Sequence, residues 1–145
     1  MESMDEQIVK LLTTDGRMSY TDIGRETGLS TSAAQQRVRR LEQRGVITGY
    51  RAVVDPAALD KMLTAFVQLR ALDPTTDDQI PGKIEPLSGV VSCYSVAGRA
   101  SHILVVQVGT PLELEALLIQ IRQVAQVSTE TTLVLSVAFA DRPLV

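Results

Sequence analysis

Residues 31–44, TSAAQQRVRRLEQR, set four arginines and three glutamines against one acid, Glu42. A guanidinium can grip a guanine edge or a phosphate through paired N–H bonds, and Gln can pair with adenine. This stretch therefore carries the chemistry of a duplex-DNA reader. At about 100° per residue, Ala34, Val38 and Leu41 fall on one side as an apolar seam. Ser32, Gln36, Arg39, Arg40 and Gln43 project roughly opposite, as candidates for the nucleic-acid face. Thr31 and Gln35 stand near the N-terminal end, where recognition helices approach base edges. Arg37 and Arg44 flank the seam and are expected at phosphates. The bland alternative is a solvated charged face, and the surrounding elements weigh against it.

Those elements have the spacing that such a helix needs. Ser30 is a suitable N-cap, and Gly45 supplies the left-handed residue that commonly ends a helix. Upstream, Ile8, Val9, Leu11 and Leu12 mark an amphipathic helix over Asp5–Thr13, closed by Gly16. Ser19 can cap a second helix, Tyr20–Thr27, ending at Gly28. Helix, short helix, glycine-containing turn and basic helix make the helix-turn-helix pattern. Ile23 and Leu29 are expected to pack on Val38 and Leu41. Downstream, Val46–Val54 is rich in β-branched residues and is read as a strand forming a small wing, with Arg51 available for a backbone contact.

Here a family resemblance becomes specific. Gly28-Leu29-Ser30, Arg37-Val38-Arg39-Arg40-Leu41-Glu42 and Gly45-Val46-Ile47-Thr48-Gly49-Tyr50 resemble the winged-helix module of the Lrp/AsnC (feast/famine) transcription regulators. The similarity reaches back to Asp5 and Asp15-Gly16-Arg17, and forward through Asp55-Pro56 to the rest of the chain.

Composition is compatible with that resemblance. The net charge of −3 is unevenly distributed. Residues 1–51 hold eight Lys/Arg against seven Asp/Glu, whereas residues 52–145 hold six against ten. Local clustering rather than net charge governs phosphate attraction. The single cysteine, Cys93, excludes an intrachain disulfide and any CxxC site, and its apolar neighbours predict a buried strand thiol. No long apolar run suggests a membrane span, and the acidic start does not resemble a secretory signal, so a cytoplasmic protein is expected.

The second half reads as βαββαβ, the ferredoxin-like order. Strands are predicted over Met62–Leu72, Gly89–Val96, His102–Val108 and Glu130–Ala140. A weak helical segment runs through Ile80, Ile84 and Leu87, where Pro81-Gly82 argues for a late or irregular start, and a clear helix spans Pro111–Val124. The fold class is thus α+β: a winged helix-turn-helix over 1–55, a linker at 56–60 and a ferredoxin-like domain over 61–145. The third and fourth strands carry apolar residues on both alternating faces, and two helices can cover only one face of a sheet. A second copy is the simplest cover. A homodimer with its sheets face to face is expected, presenting two recognition helices to a pseudo-palindromic site on double-stranded DNA.

This half resembles the regulator-of-amino-acid-metabolism (RAM) domain of the same family. The resemblance implies dimers that assemble further into octamers, and small amino-acid effectors held near the loop between the second and third strands. That loop here is Gly98-Arg99-Ala100-Ser101-His102, the candidate effector site. Family members often carry acid, aromatic and acid after the glycine; this chain has Arg99, Ala100 and Ser101. Arg99 could grip a carboxylate, and backbone groups around Gly98 and Ala100 could hold an ammonium.

Enzyme readings find little support. His102 is the only histidine and has no evident nucleophilic partner. No phosphate-binding glycine loop or metal-ligand cluster appears, so no catalytic residue, metal or cofactor is expected. RNA stacking is disfavoured by the scarcity of aromatics, which are Tyr20, Tyr50, Phe66, Tyr94 and Phe139. The remaining alternative is a small-molecule-binding assembly protein whose helix-turn-helix serves protein contact.

Overall fold

The computed structural model describes residues 1–145. The chain divides into two compact units, Met1–Val53 with Phe139–Val145, and Val54–Ala138.

The first unit is built on three helices: α1 (Ser3–Thr14), α2 (Tyr20–Thr27) and α3 (Thr31–Gln43). Each of the last two starts on a serine whose hydroxyl accepts from the helix: Ser19 from Asp22 N–H, and Ser30 from Ala33 N–H. Gly28, at φ 76°, ends α2 in the left-handed region. The end of α3 is a Schellman turn, in which Gly45 N–H donates to the Glu42 carbonyl and Val46 N–H to that of Leu41. The core is Ile8, Ile23, Ala34, Val38 and Leu41, with Leu29 and Ile47 packed on it. Burying an aliphatic side chain of this size stabilises the unit by roughly 1.5–3 kcal/mol each. Gly24 sets how closely α2 meets the turn before α3. A Cβ there would stand 2.5 Å from the Leu29 carbonyl oxygen, and the Gly24 carbonyl accepts from Leu29 N–H at 2.9 Å.

The predicted wing strand does not form. Residues 46–55 have no strand partner, and Tyr50 to Asp55 are all exposed. β-branched composition favours a strand only where a neighbouring strand supplies its hydrogen bonds, and none is at hand within this unit.

The second unit begins with a 3-10 turn at Pro56–Leu59. It then follows β1 (Leu63–Ala71), α4 (Ile80–Ile84, entered through a 3-10 turn at Pro74–Gln79), β2 (Val90–Ser95), β3 (His102–Val108), α5 (Pro111–Ala125) and β4 (Val127–Leu133). The four strands form one antiparallel sheet in the order β2-β3-β1-β4, which is the ferredoxin-like arrangement. Ala65, Val67, Leu69, Leu104 and Val106 point to the helical side and pack with Ile80, Ile84, Leu117 and Ile121.

Two expectations change here. The fourth strand starts and ends earlier than predicted. β1 pairs with Val127–Leu133, so Ala71 faces Val127 and Ala65 faces Leu133. Of the apolar run that follows, Val134 N–H still donates to the Thr64 carbonyl at 2.9 Å, after which no strand continues and Leu135 is 92% exposed. The open-face residues of β4 are therefore Ser128, Glu130 and Thr132, opposite Arg70, Gln68 and Phe66, and they are polar. Cys93 is also exposed rather than buried, although partial burial pushes its thiol pKa up. It lies on the edge strand β2, where the five-residue α4 is its neighbour and Pro81, Ile84 and Glu85 line a groove with it.

Candidate nucleic-acid interface and ligand cavity

The outward side of α3 presents Gln36, Arg39, Arg40 and Gln43, all exposed. Thr31 and Ser32 open the helix. The Thr31 hydroxyl donates to Thr21 Oγ1 at 3.4 Å, and Ser32 Oγ lies 3.3 Å from Ser30 Oγ. Gln35 is half-buried. Arg51 is exposed in the extended segment after the helices, without the strand expected to hold it.

Of the two expected phosphate contacts, Arg37 is bonded within the unit, whereas Arg44 stays largely exposed. Arg37 Nη1 donates to Glu2 Oε2 and to Asp5 Oδ1, both at 2.9 Å. These hydrogen bonds, Glu2's foremost, raise the Arg37 pKa above its usual value. Arg44 Nη1 lies 3.7 Å from Asp5 Oδ2. Asp5 is 7% exposed on α1, so its carboxylate is a buried anchor between the two arginines. Arg37 thus braces α3 against α1, with two carboxylates sharing its Nη1. Sequence reading missed this because the partners lie 35 and 32 residues away.

The helical face also has a lateral support. Tyr50 donates its hydroxyl hydrogen to Glu42 Oε1 at 2.9 Å. Burial, and then the Glu42 carboxylate, pushes the Tyr50 pKa up to about 12.

In the second unit the 98–101 loop borders a polar cavity of about 380 Å³. Arg99 and Ala100 line it, together with Gln68, Arg70, Ser128 and Glu130 from the open side of β1 and β4. Arg70 Nε and Nη2 donate to the Arg99 carbonyl at 3.0 and 2.7 Å, clasping the loop to the sheet. Ser101 turns away: its N–H and hydroxyl both donate to the Leu69 carbonyl. His102 faces the helical side of the sheet, buried, with Nδ1 3.2 Å from Ser101 Oγ. His102, expected at the effector loop, is therefore not among the residues that line this cavity. Gly98 belongs to the loop but not to the cavity wall. Gln68, Arg70 and Glu130 were missed, although Gln68 and Arg70 alternate with buried Val67 and Leu69 in the two-residue period that marks an opposite face.

Elsewhere, no three His, Cys, Asp or Glu side chains are grouped to hold a metal, and no helix is long and apolar enough to cross a membrane.

Residues 1–42 match the AsnC-type helix-turn-helix domain, and residues 64–144 match the Lrp/AsnC ligand binding domain. The HTH-type transcriptional regulator LrpA of Mycobacterium tuberculosis is 43% identical over 142 residues, spanning 98% of this chain and 95% of that protein. A feast or famine regulatory protein from M. tuberculosis, solved in complex with L-methionine, superposes with a TM-score of 0.94 at 43% identity, covering 98% of this chain and 97% of that one. Escherichia coli AsnC gives a TM-score of 0.91 at 26% identity, covering 99% and 97%. Matched in both of its parts, and along almost its whole length by an LrpA protein, the chain belongs to the Lrp/AsnC family of DNA-binding transcriptional regulators.

Proposed function

We propose that the chain reads duplex DNA with the outward face of α3, as a homodimer whose affinity is set by a small amino acid bound at the 98–101 loop. The observation that carries this reading is the division of the α3 arginines: Arg37 is bonded internally, whereas Arg39 and Arg40 stand exposed. Arg39, Arg40, Gln36 and Gln43 then meet base edges or phosphates, with Thr31, Ser32 and Gln35 at the entry end. Arg44 and Arg51 add backbone contacts from the flanks.

The dimer is supported by the open sheet face. Phe66 (43% exposed) and Tyr94 (56%) lie there in register with Val105 and Ile103. That apolar patch has no helix over it, and a second copy covers it by two-fold symmetry. The polar β4 side stays outside the patch, so the contact centres on β1, β2 and β3. Higher assembly, to an octamer, follows the family pattern. Gln68 and Glu130 sit one row from Phe66 and Thr132, so ligand occupancy and subunit packing bias each other reciprocally. The L-methionine in the M. tuberculosis relative supports an amino acid as the effector class. A cytoplasmic location, where regulator and DNA meet, completes the reading.

Selection of bound duplexes from a random pool, repeated across an amino-acid panel, tests it. A pseudo-palindromic motif that shifts in affinity with one amino acid is the expected result. The absence of enrichment in every condition would overturn the α3 reading.

A further inference from the structure

The charge pattern of the loop cavity narrows its ligand further, on the premise that this cavity is the effector site. Arg70, Arg99 and Glu130 line it beside Gln68, which brings two residues that carry a guanidinium and one that carries a carboxylate to its wall. The bonds from Arg70 to the Arg99 carbonyl use a neutral acceptor, so they fix the loop without cancelling a charge. Strand register puts Gln68 opposite Glu130 and Arg70 opposite Ser128, which makes Arg70 and Glu130 diagonal neighbours on one face. Apolar lining is slight. Leu69 borders the cavity, but its side chain is fully buried on the helical side, which leaves Ala100.

An α-amino acid brings one carboxylate and one ammonium. Glu130 is the acceptor for the ammonium, and one guanidinium meets the α-carboxylate in the planar, two-bond geometry that favours Arg. A second guanidinium remains. A neutral or apolar side chain would leave that cation unpaired and would find little to pack against. We infer that the effector is an α-amino acid with an acidic side chain, whose second carboxylate pairs with the second arginine. Three charges on the ligand then meet three on the protein.

Calorimetric titration of the full-length protein, at matched ionic strength, compares L-glutamate and L-aspartate with L-glutamine, L-asparagine, L-leucine and L-methionine. The acids are expected to bind at least about tenfold more tightly than their amides, the scale of one charge-assisted pair. Arg99→Ala should bring acid and amide to similar affinity, while Arg99→Lys keeps the preference, which separates charge from folding. Glu130→Gln should weaken glutamate but not glutarate, which lacks the ammonium. Equal or tighter binding of amides or apolar amino acids overturns the acidic class and leaves the effector reading intact. Binding of none of the six overturns the acidic class, and binding of no member of the full amino-acid panel overturns the effector reading as well.

Discussion

Arg37 Nη1 donates to Asp5 Oδ1 at 2.9 Å, tying the recognition helix to the first helix across 32 residues of sequence. Asp5 also lies 3.7 Å from Arg44, so one buried carboxylate steadies both ends of the last two turns of α3. Asp5→Ala would leave Arg37 with only the exposed Glu2 as partner. The expected loss is about 1–3 kcal/mol from the helical unit, read by urea unfolding with the m-value unchanged. Arg37→Ala should lower stability as well, while leaving the dependence of DNA affinity on salt as it was. A salt slope reduced by about one unit would mean that Arg37 does meet a phosphate.

Arg39 stands on the opposite side of α3, exposed to solvent. If it reads a base edge, Arg39→Ala is expected to weaken binding to the selected duplex by about 1–3 kcal/mol and to relax specificity at one position. Binding to random duplex should change little by comparison. Equal weakening on both duplexes, with a shallower salt slope, would assign Arg39 to the backbone instead, and unchanged binding to both would remove it from the interface.

Gly24 lies inside a helix, where glycine normally costs stability. Its value here is steric, because a Cβ would come 2.5 Å from the Leu29 carbonyl oxygen and backbone cannot yield as a flexible side chain does. Gly24→Ala should therefore destabilise the helical unit by about 1–3 kcal/mol despite the better helix propensity of alanine. The displaced turn would also re-aim α3 and reduce DNA affinity. Thermal unfolding and a binding titration on the same sample check both effects. A stability gain would mean that the turn relaxes without strain.

The legible parts of this chain were those governed by local rules. Ser19, Ser30, Gly28 and Gly45 announce helix ends within a few residues of the bonds they make, and Ala34, Val38 and Leu41 repeat at helical spacing. The misread parts depend on distant partners. Val46–Val54 has strand composition but no strand beside it, whereas Val127–Leu133, with its Ser, Thr and Glu, is a strand because β1 supplies the register. Tertiary pairing overrode propensity in both places. The same holds for function. The exposed arginines of α3 follow from periodicity, but the retention of Arg37 by Asp5 does not. In the cavity the loop was located by resemblance, while Arg70 and Glu130 come from two strands that only folding brings together.

Tyr50 gives the helical unit an alkaline limit. Its hydroxyl donates to Glu42 at 2.9 Å, and a phenolate there would face a carboxylate in a partly buried position. The folded pKa is accordingly pushed from 10.0 up to about 12. A raised pKa means that the folded state favours the protonated phenol more than the unfolded chain does. The contribution is fully present below pH 10.0 and is lost as pH rises towards about 12. Stability of the wild type should therefore fall across that window more steeply than that of Tyr50→Phe, which has no proton to lose. Phenolate absorbance, taken as the difference between wild type and variant to remove Tyr20 and Tyr94, should place the Tyr50 titration near the upper end of the window. A Tyr50 titration at the ordinary tyrosine value, with parallel stability curves for the two proteins, would remove the Glu42 bond from the solution structure.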